Sequence, residues 1–342
     1  MTTQLDASIG FKKQTDYNTP STPDRFLEFT DESLDFDRTF YQGAGLRPGS
    51  RAARSKRRSL VKDGGAGDIG LEVPTKGIGA LFELLFGVAS STLVPTSTGV
   101  YQQLFTLLKN DYLPAATIQK GIPRLGANAV DAYTLNGATC SNFSLELGAA
   151  DVLKLKTSWT AKELLTTTAY ATPTYPTPFD LFSFTGAALT VGGTITLPTT
   201  TALATGGTTV ANVRDFSFEM DNGLDSGGYN IGGQGKRTRA AAVGVAEAKG
   251  KLTAEYSGTD FRDAVRDQAD LALVATFTGP VAIETTFFPT LQLVLPNIRF
   301  EGEMPKSNGG DVITQSLDYT AFDNLTAASP VYLVMRTSDT AL

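Results

Sequence analysis

The clearest regularity in the chain is alternation. Phe216, Phe218 and Met220 are separated by Ser217 and Glu219, the period of two that marks a strand with one face on a core. In DVLKLKTSWTA, from Asp151, Leu153, Leu155, Thr157 and Trp159 share one face, and Lys154, Lys156 and Ser158 share the other. DVITQSLDYTA, from Asp311, repeats this with Ile313, Gln315, Leu317 and Tyr319 against Thr314, Ser316 and Asp318. A helical period shows in two short stretches. Ile78, Leu81, Phe82 and Leu85 form one apolar stripe that ends at Gly87. Phe261, Ala264, Val265 and Gln268 form another, with Thr259 placed to cap it. Asp221–Gly223 reads as a tight turn, because Asn and Gly tolerate positive φ.

Three blocks recur in order. Gly67, Ile69, Glu72 and Ile78 align with Gly250, Leu252, Glu255 and Phe261. Phe26, Asp31, Leu34 and Asp35 align with Phe216, Asp221, Leu224 and Asp225 at a spacing of 190, and the Asp151 stretch aligns with the Asp311 stretch. Together they predict an internal duplication. The expected division is a polar, mobile arm over 1–25, a β domain over 26–165, a connector over 166–212 and a second β domain over 213–342. In the connector, 16 of the 44 residues from Thr166 to Thr209 are threonine and Asp180 is the one charged residue. Threonine favours strands, so this segment predicts one or two added strands and a link, with Gly192 and Gly193 able to turn it.

Composition narrows the chemistry. The 342 residues carry 29 basic and 35 acidic side chains, for a net charge of −6, which argues against a dedicated nucleic-acid binder. There is no histidine, so the commonest general base and metal ligand is missing. The single cysteine, Cys140, rules out an intrachain disulfide and reads as a buried apolar residue. The glycine loops GAGL and GGQG lack the setting of a phosphate cradle. The carboxylates Asp31–Glu32 and Asp260–Asp263 have turn and helix-surface explanations. These features point away from an enzyme, and no cofactor or metal is expected. No apolar run reaches the ~20 residues of a membrane span, and the N-terminus lacks the apolar segment of a signal peptide, so a soluble chain made in the cytoplasm is expected.

The charge is uneven. Arg47, Arg51, Arg54, Lys56, Arg57, Arg58 and Lys62 place seven positive charges in 16 residues, within a Gly-flanked loop over 43–62. The corresponding gap in the second half holds Lys236, Arg237 and Arg239. A solvated loop or a nucleic-acid patch would account for such charge. An acidic chain with basic loops suits head-to-tail self-association better, because unlike patches meet. All ten residues are therefore candidate inter-subunit contacts.

Read in order, GDIGLEVPTKGIGALFELLFG, YQQLFTLL, ATIQKGI, GATCSNFSLEL, VLKLKTSWTAKE, TPFDLFSF and VRDFSFEMDNGLD resemble the major tail tube proteins of long-tailed bacteriophages, from about Phe26 to Tyr319. The resemblance implies a mainly β sandwich or barrel-like subunit with short flanking helices. It implies rings that stack into a tube for genome ejection, carried in the virion after synthesis in the bacterial cytoplasm. The implied partners are further copies of the chain, the tape measure protein, the tail terminator and baseplate or tip proteins, with DNA in transient passage and no membrane. The resemblance implies a ring of six equivalent β positions. A duplicated chain would fill two, so a trimer with pseudo-six-fold symmetry is expected over a hexamer of one-domain chains. The net acidity predicts a negative channel wall. A β-rich receptor-binding or head decoration protein is the alternative.

Overall fold

The computed structural model describes all residues except 1–5, 50, 127–128, 177–179, 308 and 311. Asp311, the first residue of the second repeated stretch, lies outside the described residues. In the first half of the chain the strands are Ser8–Lys13 (β1), Arg25–Leu27 (β2), Asp31–Glu32 (β3), Asp35–Phe36 (β4), Thr39–Gln42 (β5), Arg58–Lys62 (β6) and Gly65–Glu72 (β7). Helix Gly79–Phe86 (α1) follows, then Gly87–Leu93 (β8), Tyr101–Leu107 (β9), Ala116–Pro123 (β10), Val130–Leu147 (β11), Lys154–Ala161 (β12) and Glu163–Leu165 (β13). The threonine-rich segment supplies Ala187–Val191 (β14), Ile195–Thr196 (β15), Thr205–Gly206 (β16) and Thr209–Val210 (β17). The second half holds Val213–Asp221 (β18), Glu247–Glu255 (β19), helix Asp260–Asp267 (α2), Leu271–Thr278 (β20), Thr290–Gly302 (β21), Thr314–Ala321 (β22) and Tyr332–Thr337 (β23). The protein is mainly β and antiparallel, as its alternation predicts.

One sheet runs through both halves in the order β3/β4–β7–β12–β11–β18–β19–β22–β21. Its apolar face carries Leu155, Trp159, Phe143, Phe218, Leu252, Leu317 and Tyr319, all buried. Two outer sheets cover that face. In the first half the order is β2–β1–β10–β11–β13. In the second it is β17–β14–β20–β21–β23, extended by β9 and β8. The long strands β11 and β21 belong to both layers. Each breaks where it passes between them: β11 near Gly137 (φ +65°) and Cys140, β21 near Pro296. Such irregularities bend a strand from one sheet into the next.

The pairing order of the second half repeats that of the first, and so does the register of its central pair. Trp159 lies opposite Gly67, and Tyr319 opposite Gly250. Leu155 lies opposite Leu71, and Gln315 opposite Ala254. The glycine under the aromatic is needed in both places. Gly67 has φ +148° and its backbone crowds Ser33 and Leu34. A Cβ on Gly250 would strike the Tyr319 phenol, which passes over it to donate a 2.7 Å hydrogen bond to the Ser217 carbonyl.

Three expectations need correction. Phe26 does not correspond to Phe216: it sits in β2 opposite Gly10 of β1. The partner of β7 is Asp31–Phe36, with Asp31 opposite Gly70 just as Asp215 is opposite Thr253, so Asp31 corresponds to Asp215 and not to Asp221. Second, the arm over 1–25 is not loop throughout. Ser8–Lys13 pairs on both sides, and Ile9 and Phe11 are buried. Third, the sequence division is not kept by β8 and β9, which attach to β23, or by β14 of the connector, which pairs with β20 as β1 pairs with β10.

Both helices form as their stripes predict. Ile78, Leu81, Phe82 and Leu85 are buried, and Gly87 closes α1 at φ +87°. Thr259 holds the N-cap position of α2 but its side chain makes no capping bond. At the turn after β18, the Gly223 N–H donates to Asp221 Oδ1 at 2.8 Å, and Asn222 is buried with its amide on the Leu85 and Cys140 carbonyls.

Candidate functional site

The seven basic residues of the first loop lie on or near a projecting hairpin. Among the described residues β5 and β6 pair only with each other, with Phe40 opposite Leu60 and Gln42 opposite Arg58. The Gly43 N–H donates to the Arg57 carbonyl at 2.9 Å and Gln42 Nε2 to the Arg54 carbonyl at 3.1 Å, which close the tip. Phe40, Tyr41, Leu60 and Val61 are exposed on this ladder, and a lone two-stranded hairpin is marginal in water. Among the described residues Arg47, Arg51, Arg54, Lys56, Arg57 and Arg58 make no ion pair; Arg58 stacks on Phe40 at 4.7 Å. Lys62, at the base, pairs with Asp37 at 2.5 Å.

The second basic loop differs. Lys236 pairs with Glu163 at 2.5 Å, and Arg239 pairs with Asp225 at 2.6 Å. Arg237 is buried, donates to the Gly227 and Asp225 carbonyls at 2.6 and 3.2 Å, and lies over the Tyr229 ring at 5.1 Å. The structure therefore does not bring Lys236, Arg237 and Arg239 together with the first-loop arginines as free interface cations. Arg237 and Arg239 tie residues 222–246 together internally, and Lys236 fastens the segment to Glu163, near where the Asp63 N–H also donates to the Gly235 carbonyl.

These ion pairs set an acid limit. Burial alone would raise the Glu163 carboxyl, but hydrogen bonds from Lys236 and Asn136 outweigh it and hold the group below its ordinary 4.5. A hydrogen bond from Arg239 lowers Asp225 likewise. A carboxylate depressed in the folded state contributes stability above its unfolded pKa and loses it as pH falls through the folded value. Loop 222–246 should thus stay protease-resistant at neutral pH and become cleavable as pH drops below about 4.5. Glu163→Gln should loosen it at pH 7. Equal cleavage of wild type and variant at both pH values would show that Lys236 does not fasten the loop.

The second surface is the outward face of the shared sheet, which the sequence marks only through its alternation. Cross-strand partners form continuous rows. One runs Asp31, Gly70, Lys156, Ser144, Glu219, Lys249, Thr320, Arg299. The next runs Glu72, Lys154, Glu146, Ser217, Lys251, Asp318, Glu301. Another holds Asp68, Ser158, Asn142, Asp221 and Glu247. Carboxylates predominate, and some lysines pair across strands, as Lys156 does with Asp68 at 3.2 Å and Lys249 with Glu219 at 3.8 Å. No large apolar side chain interrupts these rows.

Both ends of the sheet are open. Among the described residues, no strand pairs with the outer edge of Asp31–Phe36 or of Arg299–Gly302. Sequence reasoning missed these edges, because an unpaired edge has no signature until its neighbours are known.

Among the described residues no cluster of His, Cys, Asp and Glu could hold a metal, and no helix is long and apolar enough to cross a membrane. Cys140 is fully buried, and burial pushes its thiol far above the ordinary range. The surfaces offered are edges, ladders and charge, which suit association.

No curated protein matches the chain. The profile of the phage tail tube protein family matches residues 4–321, nearly its whole length. That family is structural and non-enzymatic, a component of the virion tail, and the chain belongs to it.

Proposed function

We propose that the chain is the repeating subunit of a tail tube, that three copies close one ring, and that stacked rings form the channel for the ejected genome. The observation that carries this reading is the shared sheet, with eight strand positions, one polar face and an open edge at each end. Its two halves repeat one pairing order and register, which supports a chain that fills two of six equivalent places. Three such sheets end to end make 24 strands. At about 4.8 Å per strand this is a barrel roughly 40 Å across, wider than the 16–18-stranded barrels that hold an aqueous channel. The acidic rows would face the lumen, where like charge keeps DNA from adsorbing. The projecting β5–β6 hairpin would reach the next ring, and the tube would enclose a tape measure protein and join terminator and tip proteins at its ends.

Negative-stain microscopy of the concentrated protein tests this. Rings and tubes with three-fold symmetry are expected, with a lumen rich in carboxylates. Strict six-fold rings with one chain per position would overturn the three-chain ring, and a lumen lined mainly by lysine and arginine would overturn the wall assignment.

A further inference from the structure

We infer that loop 222–246 is a brace that aims the β5–β6 hairpin, with the Tyr229 ring as its bearing surface; the consequence for assembly rests on the reading above that the hairpin reaches the next ring. The hairpin joins the body through two short links, residues 37–38 and 63–64. The Asp37 N–H donates to the Gly64 carbonyl at 2.9 Å, and Arg38 Nε donates to Asp63 Oδ1 at 2.6 Å. Both contacts join one link to the other, so they keep the strands together without fixing where the hairpin points. A two-stranded ribbon twists readily and is marginal by itself in water. Its direction must be set by contacts from outside the ladder.

Loop 222–246 supplies them. β7 begins and β18 ends at the same end of the shared sheet: Gly65 is opposite Ala161, and Asp221 is opposite Asn142, which faces Ser158. From β18 the loop reaches back past β11 and β12 to the hairpin base. There the Gly235 carbonyl takes the Asp63 N–H at 2.8 Å. Gly235 has φ +81°, and a Cβ on it would lie 3.4 Å from the Val61 carbonyl oxygen. Lys236 stands between Glu163 of β13 at 2.5 Å and Asp63 at 4.0 Å. Tyr229 takes a cation from each loop. Lys62 Nζ lies 5.5 Å from its ring centre and the Arg237 guanidinium 5.1 Å, within the reach of cation–π attraction. The phenol oxygen lies beside Gly64, where an added Cβ would be 3.7 Å away. Arg237 is buried and held by the Gly227 and Asp225 carbonyls, so the ring rests on a fixed cation and steadies Lys62 at the hairpin base. The two basic loops thus have different tasks. The first presents its cations outward, and the second uses its own to hold the first in place.

Spin labels on Ser59→Cys in the hairpin and Glu146→Cys in β11 test the brace in dilute protein; both positions are exposed and the native Cys140 is buried. Pulsed dipolar spectroscopy should give one narrow distance distribution. Tyr229→Ala should broaden it or split it in two, and Tyr229→Phe, which keeps the ring, should restore it. In the unlabelled chain Tyr229→Ala should raise the concentration needed for tubes about tenfold, although every cation of the first loop is still present, and Tyr229→Phe should restore that too. An unchanged distribution in Tyr229→Ala would overturn the brace. A broadened one with tubes at the parental concentration would overturn its part in assembly, and no restoration by Tyr229→Phe would overturn the role of the ring. Where Tyr229→Ala fails to fold, Glu163→Gln at pH 7 decides: it frees Lys236 and should broaden the same distribution, and a narrow one there would overturn the inference. An unmodified chain that never forms tubes would overturn the inter-ring reading, while the distances still decide the brace.

Discussion

Replacing Arg51, Arg54, Arg57 and Arg58 together by serine is expected to leave a folded, soluble subunit that no longer forms tubes. None of the four makes an ion pair within its own chain among the described residues, so their loss removes no internal salt bridge, and of the contacts described above only the stacking of Arg58 on Phe40 goes with them. Each exposed pair across an interface contributes only about 0–1 kcal/mol. Four per chain, repeated around a ring, still sum to several kcal/mol, and a loss of about 4 kcal/mol is roughly a thousandfold in association. Because these charges are exposed, salt should shorten wild-type tubes in the same direction. Sedimentation and negative-stain length measurements, with circular dichroism as the folding control, read the effect. Tubes of normal length at the wild-type concentration would overturn the role of the hairpin.

The largest expected loss of stability is at Phe143. Its ring is 1% exposed and sits between Phe86 of α1, at 5.2 Å between centroids, and Phe218 of β18, at 6.2 Å. Phe105 of β9 and Phe82 of α1 continue the stack. This aromatic path crosses from one half of the chain to the other. Phe143→Ala should cost about 3–5 kcal/mol through lost burial and the cavity left behind. That corresponds to a thermal midpoint lower by roughly 10 °C. Calorimetry should show the shift in a single transition. A change under about 1 kcal/mol, or a split that moves only one of two transitions, would show that the halves do not share this core.

What the sequence made legible follows from local physics. Strands β12, β18 and β22 each bury one face, so their side chains alternate and the faces can be assigned residue by residue. The Gly67–Trp159 and Gly250–Tyr319 pairs were within reach because they sit in the two blocks that truly correspond. The Phe26–Phe216 match failed because short acidic-apolar stretches look alike whether they line the shared sheet or an outer one. β1 was missed because its apolar residues, Ile9 and Phe11, are few and flanked by polar sequence. The attachment of β8 and β9 to β23 is a long-range choice that no local pattern records. Charge misled for a similar reason. Arg54 and Arg239 look alike in the chain, and only the fold places Asp225 beside one of them.

The junction between β11 and β18 also has a kinetic meaning. It forms as one chain folds, so its rate does not depend on protein concentration, whereas every contact between copies does. Closing the proposed ring takes two encounters in solution, the last contact closing within the assembly, where six one-unit chains would need five. The steepness with which nucleation rises with concentration falls accordingly. A host cell would fill its pool of ring precursors at lower expression of this chain, and the covalent link through the threonine-rich segment fixes the ratio of the two kinds of unit at one to one without regulation of synthesis.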